Sequence, residues 1–218
     1  MKKERNMKGV IFDMDGTMVD NMMVHHHIWQ QVLRDLGLDW SIDKVKAEIH
    51  GVNTEILKRL FDDRFSEAER IKISNEKEAA YRTYFKSKLQ LIEGLPDFLE
   101  RLYQANIPMA IGTAAPKENA DFVLDTLNIR HYFKGVFHAG SVQKGKPDPE
   151  IFIKAAASMD LSPADCLVFE DSVSGAATAK NAGSKAIIVT TTHQVEEFAY
   201  FDHIIQFVND FTEVEIGY

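Results

Sequence analysis

Short apolar runs recur along the chain, each ending abruptly in polar residues, and stretches of helical periodicity lie between them. The first run, Val10-Ile11-Phe12, stops at two carboxylates one residue apart, Asp13 and Asp15, followed by Gly16 and Thr17. Apolar residues before and polar residues after place Asp13 at the carboxyl end of a buried strand, the edge at which open α/β sheets hold ligands. Beyond Asp20 the rhythm changes. Over 22–36 the apolar residues Ile28, Trp29, Val32, Leu33 and Leu36 recur at helical spacing, and Gly37 supplies a stop. Segments 44–50, 54–61 and 66–86 continue helical and highly charged, with no convincing strand. The pattern predicts an all-helical domain over 21–88, inserted after the first strand.

The alternation returns beyond it. Helical patterns at 96–104, 117–127, 150–159 and 175–182 separate apolar runs at Met109–Gly112, near Val136-Phe137, at 167–169 and at 186–189, with a weaker run at Ile204-Ile205 and an ambiguous tail from Asn209. Strands alternating with helices predict βα units on a parallel sheet. The expected architecture is α/β: a Rossmann-like parallel-sheet core formed by 1–20 and 89–218, interrupted by the helical insertion.

Composition narrows the functional classes. A chain of 218 residues, 45% of them hydrophobic, can bury one substantial core and carry a small second domain. Its formal net charge of −8 is spread along the chain and argues against a nucleic-acid partner, which needs a basic surface. Cys166 lies inside an apolar run and reads as a small packed hydrophobe, not a nucleophile. With no signal-peptide pattern and no apolar segment near the roughly 20 residues that span a bilayer, the expectation is a cytoplasmic protein without membrane contacts, and a monomer.

In a parallel sheet the carboxyl ends share one edge, so polar residues after different strands converge. Asp13 and Asp15 follow the first strand, Thr113 with Ala114 the second, Lys146 the region of Val136, and Glu170 with Asp171 the run 167–169. In a continuing strand Asp13 and Asp15 would share a face and repel unless a cation or proton sat between them. Carboxylates gathered with a lysine and a hydroxyl form a site for Mg²⁺ and a phosphoryl group. Each residue has a plainer alternative. Asp-Gly is a turn signal, Thr113 can cap the helix near Pro116, Lys146 can be a solvated surface lysine, and Glu170 and Asp171 can serve a helix dipole. Asp148-Pro149 reads as an N-cap and first helical residue. The stretch from Gly140 to Lys146 fits the start of a nucleotide-binding P-loop, but Pro147 stands where a metal-binding hydroxyl is required.

Taken together, Asp13-Met14-Asp15-Gly16-Thr17, Thr113, Lys146-Pro147-Asp148-Pro149 and Glu170-Asp171-Ser172-Val173-Ser174-Gly175 resemble, in order and spacing, the four motifs of the haloacid dehalogenase-like superfamily. The helical insertion is similar to the cap domain of its β-phosphoglucomutase-like phosphatase branch. The resemblance implies that Asp13 is the nucleophile, forming an aspartyl-phosphate. It implies that Asp15 is the acid and then the base, with its backbone carbonyl on the metal. Glu170 and Asp171 would complete the Mg²⁺ shell, while Thr113 and Lys146, with Gly16, Thr17 and Ala114 beside them, would hold the phosphoryl group. Dehalogenases of the superfamily lack the second carboxylate, so Asp15 argues against that chemistry.

The same resemblance implies that the cap selects a small phosphorylated substrate. His25 stands where β-phosphoglucomutases carry a His linked to the acid/base Asp and the cap, its alternative being an exposed polar position on the first helix of the insertion, and Lys77, in a highly charged helix, resembles a cap lysine of those mutases. At His50-Gly51-Val52-Asn53-Thr54-Glu55 the mutases place an Arg that clamps a distal phosphate, and here Asn53 and Thr54 take its place. The expectation is therefore a Mg²⁺-dependent phosphatase of a small phosphorylated metabolite, with a β-phosphoglucomutase and a non-catalytic binding module of the same fold as alternatives.

Overall fold

β1 (Gly9–Phe12) is buried along its whole length, because in a parallel sheet with both faces covered an apolar strand has no solvent side. The computed structural model describes residues 7–215. β1 lies between β2 (Met109–Gly112) and β4 (Cys166–Glu170), within a six-stranded sheet of order β3-β2-β1-β4-β5-β6. β3 spans Phe133–Phe137, β5 Lys185–Val189 and β6 Ile204–Val208, and every neighbouring pair is parallel. Val10 is opposite Met109 on one side and Leu167 on the other.

Alternation along β1 sends its side chains into two cores. Val10 and Phe12 enter one with Leu95, Phe98, Leu99 and Leu102 of α5 (Leu95–Gln104) and Leu124 of α6 (Lys117–Thr126). Phe12 stacks on Phe169, ring centroids 5.2 Å apart, and Phe98 meets Phe169 edge-on. Ile11 enters the other with Phe152 and Ala155 of α7 (Glu150–Ala157) and Ala176 and Ala179 of α8 (Val173–Ala182). The sheet is thus covered on both faces, as the alternating pattern predicts.

The chain divides into two compact units, Met1–Asp20 with Leu89–Tyr218, and Asn21–Lys88. The second consists of α1 (Met22–Asp35), α2 (Ile42–Glu48), α3 (Asn53–Phe61) and α4 (Glu67–Phe85). They close on their own core of Trp29, Leu33, Val45, Ile49, Ile56 and Leu57. α4 starts at a capping box in which Ser66 and Glu69 satisfy each other's backbone N–H groups. No helix among the described residues is long and apolar enough to cross a membrane.

Candidate active site

The strand ladder ends at Phe12, but the Asp13 N–H still donates to the Phe169 carbonyl at 2.9 Å, so Asp13 is held by β4 while its carboxylate, 6% exposed, faces the carboxyl edge. The chain then turns sharply. The Met14 carbonyl accepts from Met18, and Gly16 N–H donates to Val19, both at 2.8 Å. Gly16 sits at φ 80°, in the left-handed region, and a side chain there would collide with the Asp171 carboxylate. Asp15 consequently leaves the strand, making an isolated bridge with Val19. The face shared by Asp13 and Asp15 in a continuing strand does not form, because the turn intervenes.

Asp13 instead meets carboxylates from β4. Oxygens of Asp13, Glu170 and Asp171, all buried, lie within 4.8 Å of one another. Lys146 reaches the group from the loop before α7, its Nζ donating to Asp13 Oδ1 at 2.7 Å and to Glu170 Oε1. Glu170 is fully buried and its other oxygen accepts from the N–H groups of Asp171 and Ser172 and from the Ser172 hydroxyl, each at 3.0 Å. Gly175 in the first turn of α8 leaves the space that the Glu170 carboxylate fills. The Thr17 hydroxyl lies 3.4 Å from both Asp13 Oδ2 and Asp171 Oδ1, long contacts that span the two acids.

Burial dominates the electrostatics. It raises Asp13 to about 7; Lys146 pulls the other way, and Glu170 adds to the rise. Burial, then Glu170 and Asp13, push Asp171 well above the usual carboxylate range. For Lys146, burial disfavours the ammonium, but Asp13 and Glu170 more than reverse this, and it stays charged. One ammonium therefore faces three buried carboxylates, an imbalance that a second cation relieves. The donors are all hard oxygens, and the glycine at position 16 keeps side-chain bulk away from Asp171. This set suits a hard divalent cation.

The remaining sequence-predicted residues fall in two places. Thr113 follows β2 at the same edge, 1% exposed, its hydroxyl accepting from Ala115 N–H at 3.1 Å, while Ala114 is exposed. It does not cap α6, whose N-cap is Pro116 without a side-chain bond. The helix after Lys146 starts one residue later than the sequence pattern indicates: Pro149 is the N-cap, and Asp148 still accepts from Glu150 N–H at 3.0 Å. His25, Asn53, Thr54 and Lys77 all belong to the helical unit. There Lys77, only 3% exposed, bonds His25 Nδ1 at 2.8 Å and Glu78 Oε1 at 2.9 Å. His25 stacks on Tyr81, and Asn53 donates to Ser74 Oγ and Glu78 Oε1. His25, half-buried, is not the exposed polar residue of the plainer alternative.

A model of the haloacid dehalogenase-like hydrolases matches residues 7–183, spanning all of the gathered acids and Lys146. The chain belongs to this family. Among curated relatives of the hydrolase, the fructose-1-phosphate phosphatase YqaB of Escherichia coli is 32% identical, covering 83% of this chain and 95% of its own. The β-phosphoglucomutase of Bacillus subtilis is also 32% identical, with 83% and 82% covered. A family IA haloacid dehalogenase-like hydrolase from Entamoeba histolytica superposes with a TM-score of 0.88 at 28% identity, over 96% of each chain.

Two groups of this hydrolase's site escape a reading of the sequence. Ser172 is the N-cap of α8 and a partner of Glu170 at once. Thr191 and Thr192 follow β5; Thr191 donates to the Gly16 carbonyl at 2.5 Å, and Thr192 Oγ1 borders, with the Asp171 carboxylate, the space beside Gly16. A usable signal existed for the threonines, since a run of polar residues after 186–189 stands at the same sheet edge as the other four groups.

Proposed function

We propose that the protein is a Mg²⁺-dependent phosphatase acting on a small phosphorylated metabolite, a sugar monophosphate in the first instance, through an aspartyl-phosphate at Asp13. The observation that carries this reading is the buried Asp13 carboxylate at the sheet edge, paired with Lys146 and grouped with Glu170 and Asp171. Asp13, Glu170 and Asp171, with the Asp15 carbonyl, would hold the metal. When bound, Mg²⁺ supplies positive charge that favours the ionised Asp13 and screens the approach of an anionic phosphate.

The chain's own groups supply the rest. An Asp13 carboxylate oxygen attacks phosphorus as the bond to the leaving oxygen breaks, and Asp15 gives that oxygen its proton. Asp15, now a carboxylate, takes a proton from water. The water oxygen bonds to phosphorus, the bond to Asp13 breaks, and both acids return to their starting states. Lys146, Thr113 and the loop Gly16-Thr17 bind the phosphoryl oxygens, and Lys146 offsets the charge that develops on them.

Two curated relatives of equal identity, one a phosphatase and one a mutase, leave the acceptor to local chemistry. Asn53 and Thr54 stand where the mutases have an arginine, and the Asn53 side chain is engaged with Ser74 and Glu78. Absence of a bidentate guanidinium removes roughly 1.5–3 kcal/mol of phosphate binding, which disfavours a bisphosphate. The mutase reading has one observation in its favour, the bonded His25–Lys77 pair.

A phosphate-release screen over sugar phosphates, nucleotides and pyrophosphate, repeated with a sugar bisphosphate primer, tests these readings. Release from a sugar monophosphate is expected, abolished in Asp13→Asn. Sustained conversion of β-glucose 1-phosphate to glucose 6-phosphate, faster than phosphate release, would make it a mutase. Inactivity across the panel with several divalent metals would point to a binding module.

A further inference from the structure

The first four strand ends account for the residues used so far, but a fifth also reaches the acids. β5 pairs with β4 with Ile188 opposite Glu170, so the chain leaving β5 runs beside Asp171. Its first residues are Thr190, Thr191, Thr192 and His193. Thr190 is tied to β6, its N–H donating to the Val208 carbonyl at 2.8 Å. The next two turn toward the Asp13–Thr17 loop. The Thr191 hydroxyl donates to the Gly16 carbonyl at 2.5 Å and lies 3.4 Å from Thr192 Oγ1. A side chain at Gly16 would meet the Asp171 carboxylate and, at 2.9 Å, Thr192 Oγ1. Gly16, Asp171 and Thr192 therefore enclose one small space.

Asp171 is 3% exposed, and water has little access to fix its orientation. Its oxygens take their direction from neighbours: the Thr17 hydroxyl stands 3.4 Å from Oδ1, and Thr192 Oγ1 borders the same small space beside Gly16 as Oδ2, where it favours the ionised carboxylate. A carboxylate that must keep an oxygen directed at a cation gains affinity when a hydroxyl fixes its plane, since less rotational freedom is lost on binding. We propose that Thr192 is a positioning residue of the cation site: its hydroxyl orients Asp171, Thr191 holds the loop in place through Gly16, and the two set how tightly the divalent cation is bound. This inference rests on the reading of Asp13, Glu170 and Asp171 as the cation site.

Thr192→Val keeps the shape and removes the hydroxyl, and Thr192→Ser restores it without the methyl. Calorimetric titration of the full-length protein with MgCl₂ reads the cation directly, without turnover. Thr192→Val should weaken Mg²⁺ binding by about tenfold or more, the usual scale for losing a group that orients a metal ligand, and Thr192→Ser should recover most of it. In phosphate release, Thr192→Val should raise the Mg²⁺ concentration giving half-maximal rate while leaving kcat at saturating Mg²⁺ close to wild type. Unchanged Mg²⁺ affinity in Thr192→Val overturns the proposal. So does a raised KM for the phosphorylated substrate at saturating Mg²⁺ with no change in Mg²⁺ affinity, which would make Thr192 a substrate contact. Wild-type protein that takes up no Mg²⁺ overturns this inference and the cation site together, whereas a wild type that binds and a valine variant that binds equally well overturns this inference alone.

Discussion

At the scale of single residues, burial changes what an ordinary side chain does. His25, packed on Tyr81 with the Lys77 ammonium against its Nδ1, is lowered from its usual 6.5 to about 3, by burial first and by Lys77 second, with Glu78 acting in the opposite sense. Folded protein thus refuses a proton that unfolded protein accepts between about 3 and 6.5. The unfolded state binds more protons there, so stability rises with pH through that window and is lost as pH falls through it. A single such site contributes at most about 1.4 kcal/mol per pH unit. Thermal unfolding from pH 7 to pH 5 should show a shallower loss of Tm in His25→Asn than in wild type. His26 and His203, lowered too, are common to both proteins, so parallel slopes would mean that His25 is free to protonate in the fold.

At the scale of elements, the site is made by what strand ends and helix starts leave room for. The first turn of α8 carries Gly175 because the Glu170 carboxylate occupies the volume of its missing side chain. Gly175→Ala should displace Glu170 from the N–H groups of Asp171 and Ser172 and from Lys146. Crowding of this kind costs about 1–3 kcal/mol, read as a lower denaturant midpoint, and phosphate release should fall at least in proportion to the folded fraction. Gly145, with nothing near its would-be side chain, is the control: Gly145→Ala should stay within about 0.5 kcal/mol. The same scale explains what the sequence does and does not reveal. The buried strands β1 and β2, and β4 and β5 but for Glu170 and Lys185 at their ends, are unbroken apolar runs and legible. β3 and β6 carry Lys134 at an exposed position and Gly135 and Gln206 at half-covered ones, so only the apolar pairs Val136-Phe137 and Ile204-Ile205 stand out. The acids and Lys146 are legible because charged residues interrupt apolar runs at a predictable edge. Thr191 and Thr192 carry only the signal of their place after 186–189, since threonine itself suits strands, turns and caps alike.

For the whole molecule, the excess of buried negative charge makes stability depend on solution conditions. A ligand that binds only the folded protein adds RT ln(1 + [L]/Kd), about 2.7 kcal/mol at a hundredfold excess over Kd. MgCl₂ should therefore raise Tm, EDTA should lower it, and Asp171→Asn should blunt the response. A Tm indifferent to Mg²⁺ in the wild type would count against a cation at these acids. Family membership and the parallel sheet belong to this scale, and both follow from the order of motifs and the alternation of elements.

The central place of β1 also bears on how the chain comes to be folded at all. Its neighbours in the sheet are made long after it: Thr17 and the Asp171 it faces are 154 residues apart, and on the β2 side Val10 waits for Met109. At about 5–20 residues per second, a ribosome leaves Val10-Ile11-Phe12 without its β4 partner for on the order of ten to thirty seconds. Until β2 is made this apolar strand has both edges open beside a growing chain, and until β4 is made it keeps one open, the condition that favours mispairing. The strand at the centre of the finished sheet is thus a segment with an open edge for much of the chain's synthesis.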